Sequence, residues 1–87
     1  MKRIIAWTPT AWEQYVEWVN KDKKIVVRIN ELIKDIDRNG LLNGIGKPEA
    51  LKHEKLCSRR IDDVNRLTYN FDNNKNLVIF SCKGHYE

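Results

Sequence analysis

Residue types that can move protons or hold a phosphate lie in the second half of the 87-residue chain. They include a carboxylate, a guanidinium, an imidazole and a phenol, at Glu49, Arg66, His85 and Tyr86. RNA cleavage by its own 2′-hydroxyl needs a base for that proton, cations for the charge on phosphorus, and an acid for the departing 5′-oxygen. Glutamate or histidine suits the first task, arginine or lysine the second, and histidine the third. A tyrosine can stack on a nucleobase or hold the phosphate. This residue set fits RNA cleavage without a metal or cofactor.

Each of these residues also has a structural explanation. Glu49 has Lys47 and Lys52 as neighbours for a surface ion pair. Arg66 on a strand can form a cross-strand salt bridge. His85, close to the chain end, can simply be solvated. Spacing alone leaves both interpretations open.

Cations are concentrated between Lys47 and Arg66, and the chain carries 16 basic and 12 acidic residues, a net charge of +4. This charge is compatible with a nucleic acid or another anionic partner, and equally with a solvated basic surface. In the segment SRRI, Arg59 and Arg60 alternate along a predicted strand, so only one of them should share the face of Arg66.

The first half of the chain predicts a short strand and two helices. The run KRIIAW indicates a strand, and Thr8 followed by Pro9 is typical of a helix start. Asp22 can cap a second helix, which should end at Asn39-Gly40. Two apolar stripes should be buried by this helical hairpin: Trp12, Val16 and Val19 with Tyr15 and Trp18 on the first helix, and Ile25, Ile29, Leu32, Ile33 and Ile36 on the second.

The second half predicts three strands, in the runs KLCSRRI, NRLTYNF and NLVIFSCK. The element order is therefore β-α-α-β-β-β, in a single α+β domain spanning residues 1–87. The simplest packing is an antiparallel sheet with the helix pair on one face and the other face open. Alternation with Leu67 and Tyr69 places Arg66 on that open face.

The two cysteines, Cys57 and Cys82, belong to no CxxC pair. We expect them to pack as small apolar side chains; a disulfide, or a metal site with His53 and His85, is the alternative. No apolar run approaches the length of a membrane span, and a signal peptide is not apparent. We expect a cytoplasmic protein.

A succession of short motifs resembles one known family. The segments RINELIKDIDRNG, GIGKPEALKH, SRRI and NRLTY, followed by a C-terminal HY, are similar to those of the YoeB/Txe toxins in the RelE superfamily. The resemblance covers nearly the whole chain. It implies the RelE-like microbial ribonuclease fold and a bacterial, ribosome-dependent endoribonuclease that cuts mRNA in the A site.

The resemblance also implies roles for individual residues. Glu49 corresponds to the general base, Arg66 to the arginine that stabilises the transition state, His85 to the general acid, and Tyr86 to the tyrosine that orients the RNA. We expect further contacts with RNA or its phosphates from a second group of residues: Lys47, Lys52, His53, Arg59 and Arg60.

Partners are implied in the same way. A toxin of this family pairs with a YefM/Phd-type antitoxin, acts on the ribosome and mRNA, binds operator DNA only as the toxin–antitoxin complex, and often forms a homodimer. The alternative is a RelE-fold protein that acts by binding, as an operon corepressor or a gyrase-type poison.

Overall fold

The structure, a computed structural model, describes residues 3–84, which form two helices and five strands. In chain order these are β1 (Ile5–Trp7), α1 (Pro9–Lys21), α2 (Lys23–Asn39), β2 (Glu49–Ala50), β3 (Cys57–Arg60), β4 (Arg66–Phe71) and β5 (Leu77–Ser81). The predicted α+β class is confirmed. Within this range no helix has the length and apolar character needed to cross a membrane.

Local capping chemistry sets the helix boundaries where the sequence predicted them. The Thr8 hydroxyl accepts a backbone N–H of the first turn at 3.1 Å, and Pro9 occupies the first helical position. Asp22 separates the helices and caps α2, accepting a backbone N–H at 3.0 Å. Gly40 ends α2 with φ +92°, a left-handed conformation that glycine adopts without steric cost.

The sheet has the strand order β1-β5-β4-β3-β2, and it is mixed. β1 runs parallel to β5, whereas every other neighbouring pair is antiparallel. The predicted fully antiparallel sheet is therefore wrong at this one edge. Because nearly the whole chain separates β1 from β5, no hairpin turn imposes an antiparallel direction on them. The connector after α2 also contributes a short strand, β2, that the sequence did not predict.

One face of the sheet packs against the helices. All five predicted core positions of α2 are buried. They share the core with residues of β4, of β5 and of the position after β5, including Leu67, Tyr69, Leu77, Ile79 and Cys82. Burying each such aliphatic side chain contributes about 1.5–3 kcal/mol, so this face holds the fold together.

The predicted apolar stripe of α1 is buried only in part. Trp12, Val16 and Val19 are 52%, 39% and 44% exposed, whereas the core side of the helix is formed by Ala11 with Tyr15 and Trp18. Both groups of residues have helical spacing, and it is the group of Ala11, Tyr15 and Trp18 that faces the sheet. We call Trp12, Val16 and Val19 the α1 stripe; it is an exposed apolar surface.

Both cysteines are free and buried, which confirms their packing role and excludes the disulfide. Cys57 lies in β3 and Cys82 directly follows β5, with β4 between those strands. Burial raises the pKa of the Cys57 thiol, and it raises the pKa of Cys82 to about 12. Both thiols are therefore neutral at physiological pH.

Candidate functional site

The face of the sheet opposite the helices, here called the open face, carries Glu49 and Arg66. Strand register explains why they share it. Glu49 lies opposite Ser58, and Ser58 lies opposite Thr68. Directly opposed residues share a face, and Leu67, between Arg66 and Thr68, is in the core. Alternation therefore directs Arg66 and these polar residues away from the helices, as predicted for Arg66.

The Arg66 side chain crosses β3 and ends beside β2. Its Nε donates to Ser58 Oγ at 3.0 Å, and its Nη2 donates to the Lys47 carbonyl at 3.4 Å. The same Nη2 lies 3.5 Å from Glu49 Oε1. The Arg66 side chain is 12% exposed and that of Glu49 is 59% exposed. The Arg66 guanidinium, held by the buried Ser58 hydroxyl, thus lies beside the solvent-accessible carboxylate of Glu49.

A tight turn before β2 brings Glu49 to this position. Gly46 has φ +82°, and a Cβ there would lie 2.7 Å from Leu32 Cδ2. The Gly46 carbonyl accepts the Arg60 N–H at 2.6 Å, which ties the turn to β3. Lys47 adopts φ +51°, which costs a non-glycine residue roughly 1–2 kcal/mol. The turn is fixed by packing and hydrogen bonding, and it delivers the chain directly to Glu49.

Arg60 shares the open face because it lies opposite Arg66 in the β3–β4 register. Its Nη2 pairs with Asp63, and its Nε donates to the Asp62 carbonyl at 3.3 Å. The Arg60 and Asp63 side chains are 39% and 88% exposed. An ion pair this exposed is worth only about 0–1 kcal/mol, so a phosphate can compete for Arg60.

Arg59 lies on the opposite face, in the core, and is fully buried. Its Nε donates to Tyr69 Oη at 2.9 Å, its Nη1 pairs with Asp35, and its terminal nitrogens donate to three carbonyls of loop 40–45 at 2.7–2.9 Å. These bonds use all five donors of the guanidinium. The prediction that Arg59 binds phosphate is corrected by this geometry, because Arg59 has neither a spare donor nor access to solvent.

The ionisation states of Asp35 and Tyr69 complement the positive charge of Arg59. Burial opposes ionisation of Asp35, but the hydrogen bonds it accepts, that from Arg59 foremost, outweigh burial and lower its pKa. Burial raises the pKa of Tyr69, partly offset by the hydrogen bond from Arg59. Tyr69 Oη in turn donates to the Leu41 carbonyl at 2.6 Å. A charged Asp35, a neutral Tyr69 and Arg59 together fix loop 40–45 onto α2 and the sheet.

Lys52 and His53 lie in the exposed loop between β2 and β3. The Asn70 amide donates to the Lys55 carbonyl at 2.7 Å and holds this loop to β4. The structure therefore places both residues in solvent, a few positions beyond Glu49. It gives them no fixed partner within residues 3–84.

His85 and Tyr86 lie outside the described residues. Gly84, the last residue that the structure describes, has a defined position beside Arg66. Its carbonyl accepts the Arg66 N–H at 2.9 Å, and its N–H donates to Asn65 Oδ1 at 2.9 Å. The last described residue is thus hydrogen-bonded to the backbone of Arg66.

Comparison with known proteins assigns the chain to a family. Residues 7–86 match the model of a family described as YoeB-like toxin of bacterial type II toxin–antitoxin system. The chain belongs to this family. The resemblance inferred from the motifs is therefore confirmed.

Relatives and solved structures of YoeB toxins agree over almost the full length. Toxin YoeB of Streptomyces coelicolor is 45% identical over 84 residues, which are 94% of this chain and 98% of that toxin. The YoeB dimer from Staphylococcus aureus matches with a TM-score of 0.91 and 46% identity, covering 99% of this chain and 100% of the other. The toxin in a Staphylococcus aureus YoeB–YefM heterotetramer matches with a TM-score of 0.88 and 49% identity, with the same coverage.

In this YoeB-like toxin, the sequence did not predict that buried hydroxyl groups lie next to Arg66 on the open face. Ser58, Thr68 and Ser81 are buried on the open face, and the Thr68 and Ser81 hydroxyls are hydrogen-bonded to each other. Alternation with Arg59 would have placed Ser58 on the face of Arg66. Its hydrogen bond to Arg66 Nε depends on the pairing of β3 with β4, which the sequence does not specify.

Proposed function

We propose that this YoeB-like toxin is a ribosome-dependent endoribonuclease that cuts mRNA in the A site and thereby stops translation. The observation that supports it most strongly is the approach of Arg66 Nη2 to Glu49 Oε1, at 3.5 Å on an exposed face. A proton acceptor and a guanidinium at this separation can act on one phosphodiester. The residues around them carry an excess of positive charge, suited to an anionic substrate.

In the proposed reaction the Glu49 carboxylate removes the proton from the 2′-hydroxyl, and the 2′-oxygen attacks the adjacent phosphorus. The Arg66 guanidinium stabilises the negative charge that develops on the non-bridging oxygens. Ser58 holds Nε of Arg66 and the Lys47 carbonyl accepts from Nη2, which leaves Nη1 for the phosphate. Preorganisation of this kind lowers the barrier because the cation does not have to reorient during the reaction.

His85 completes the reaction as the general acid. It protonates the 5′-oxygen as the phosphorus–oxygen bond breaks, which leaves a 2′,3′-cyclic phosphate and a 5′-hydroxyl. Tyr86 orients the RNA. Lys47, Lys52, His53 and Arg60 bind neighbouring phosphates. A general acid or base at each step typically contributes about 10²–10⁴-fold to the rate.

The proposed partners follow from the family. The Staphylococcus aureus relative is found with YefM and as a dimer, and we extend both associations to this chain, with operator DNA bound only by the toxin–antitoxin complex. The α1 stripe offers exposed apolar surface for the homodimer. Cleavage takes place on ribosomes in the bacterial cytoplasm.

Expression of the chain without an antitoxin tests the proposal. Growth should arrest, and Glu49→Gln, Arg66→Ala and His85→Ala should each relieve the arrest at equal protein levels. Glu54→Gln is the matched control, because Glu54 is an exposed carboxylate in the loop that follows β2. The control should remain toxic. If the three site variants are as toxic as the parent, the assigned site is wrong.

A further inference from the structure

The segment between β5 and the last described residue is anchored to α1. The Cys82 N–H donates to Gln14 Oε1 at 2.7 Å, and the Cys82 carbonyl accepts the indole N–H of Trp18 at 2.9 Å. Gln14 and Trp18 are one helical turn apart, so α1 forms hydrogen bonds with both the backbone N–H and the backbone carbonyl of Cys82. Neither side chain reaches the Glu49–Arg66 pair.

The side chains of the same segment add to this anchor. Cys82 is fully buried, and its Sγ lies 3.7 Å from the Ala11 carbonyl. Lys83 Nζ lies 2.6 Å from Glu17 Oε1, and this hydrogen bond is the main cause that lowers the pKa of Glu17. The Glu17 and Lys83 side chains are 42% and 44% exposed. The buried contacts of Cys82 therefore carry the anchor, and the surface pair adds little.

A second anchor holds the next residues against the site. Gly84 exchanges hydrogen bonds with Asn65 and Arg66, and Asn65 is itself held by Asp62, which accepts its N–H at 2.7 Å. Gly84 has φ +88°, so a glycine here lets the chain turn without strain. The segment from Cys82 to Gly84 is thus fixed between α1 and the start of β4.

We propose that Gln14 and Trp18 are positioning residues for the general acid. This inference depends on the proposed function, in which His85, the residue after Gly84, protonates the leaving oxygen. The contacts of Cys82 and Gly84 fix the backbone to which His85 is attached. A displacement of about 1 Å at a catalytic group can cost about 10²-fold in rate. Loss of the α1 anchor therefore slows cleavage, although α1 contributes no catalytic residue.

The test compares Trp18→Phe with Tyr15→Phe. Trp18→Phe removes the N–H that holds Cys82 but keeps an aromatic ring against the core. Tyr15→Phe, the matched control, removes a hydroxyl of the same helix that bonds Asn30 at 2.8 Å, away from the C-terminal segment. Single-turnover cleavage of ribosome-bound mRNA is measured for both. We expect Trp18→Phe to lower the maximal rate about tenfold with an unchanged half-saturating toxin concentration, and Tyr15→Phe to match the parent.

A second substrate separates a positioning role from general loosening of the fold. In an RNA with sulfur in place of the scissile 5′-oxygen, the thiolate leaves without protonation. The defects of Trp18→Phe and of His85→Ala should then both disappear, whereas the defect of Arg66→Ala should persist. Gln14→Leu, which removes the acceptor for the Cys82 N–H, should behave like Trp18→Phe, and it decides the question if Trp18→Phe does not fold.

Two results would overturn the inference. One is parental cleavage of the oxygen substrate by both anchor variants. The other is an equal defect of these variants on the oxygen and sulfur substrates. Failure of the parent itself to cleave either substrate would instead remove the proposed function, and the inference with it.

Discussion

Arg66 reaches Glu49 across an intervening strand: its Nη2 lies 3.5 Å from Glu49 Oε1, and its Nε is bonded to Ser58 on the strand between them. The candidate base and the candidate phosphate-binding cation are thus held by the register of β2, β3 and β4. The strand register sets the distance between the two residues, and the buried Ser58 hydroxyl fixes the orientation of the Arg66 side chain.

Removing that hydroxyl should impair cleavage. In Ser58→Ala the Arg66 Nε loses its acceptor, and we expect a single-turnover rate about tenfold lower, since a misoriented guanidinium stabilises the transition state less well. Ser81→Ala is the matched control: it removes a buried hydroxyl that bonds Thr68 and makes no bond to Arg66. An equal loss in both variants would show that general destabilisation explains the effect.

Arg59 and Arg60 should respond differently to the same substitution. Lysine has only three donors, so in Arg59→Lys at least two buried acceptors lose their partner, at about 1–3 kcal/mol each. We expect the free energy of unfolding to fall by about 2–6 kcal/mol. Arg60→Lys should change it by less than about 1 kcal/mol, because its ion pair is exposed. Urea unfolding measures both, and equal stabilities would contradict the role given to Arg59.

The Asp35–Arg59 pair should contribute to stability in a pH-dependent way. The pKa of Asp35 in the folded protein lies below its ordinary value of 3.8, so its contribution is complete well above that value and is lost as pH falls through the folded pKa. The difference in unfolding free energy between the parent and Asp35→Asn should therefore be constant above about pH 5 and shrink below about pH 4. A difference that stays constant down to the pH at which the protein unfolds in acid would contradict this.

The α1 stripe should govern self-association. Val16→Glu places a charge in an exposed apolar surface, and burying it between two copies would be costly. We expect the parent to sediment as a dimer and Val16→Glu to sediment as a monomer. Val64→Glu, at a valine that is 66% exposed in the β3–β4 connection, is the control and should leave association unchanged. A dimeric Val16→Glu variant would place the interface elsewhere.

Much of the fold could be predicted because its signals are local. Thr8 and Asp22 mark helix starts through their side-chain oxygens, Pro9 and Gly40 mark a helix start and a helix end through their backbone conformations, and the α2 stripe follows from spacing alone. The direction of β1 could not be predicted, since it depends on pairing with a strand some 70 residues away in sequence. Nor could the orientation of α1, which offers two apolar sets with the same helical spacing.

The site was predictable to a similar extent. Alternation showed that Arg59 and Arg60 point to opposite faces, and it placed Arg66 on the open face. It could not show that Arg59 enters the core, because a buried guanidinium needs acceptors that come from distant segments. Here these are Asp35, Tyr69 and the carbonyls of loop 40–45. Such a network exists only after folding, and no single segment indicates it.

The most direct test of the central claim is to map RNA ends on ribosomes programmed with a defined mRNA and treated with the purified protein. The account predicts a cut within the A-site codon that leaves a 2′,3′-cyclic phosphate and a 5′-hydroxyl. The cut should be absent without ribosomes and lost in Glu49→Gln. Intact mRNA with the parent protein, or undiminished cleavage by Glu49→Gln, would contradict it.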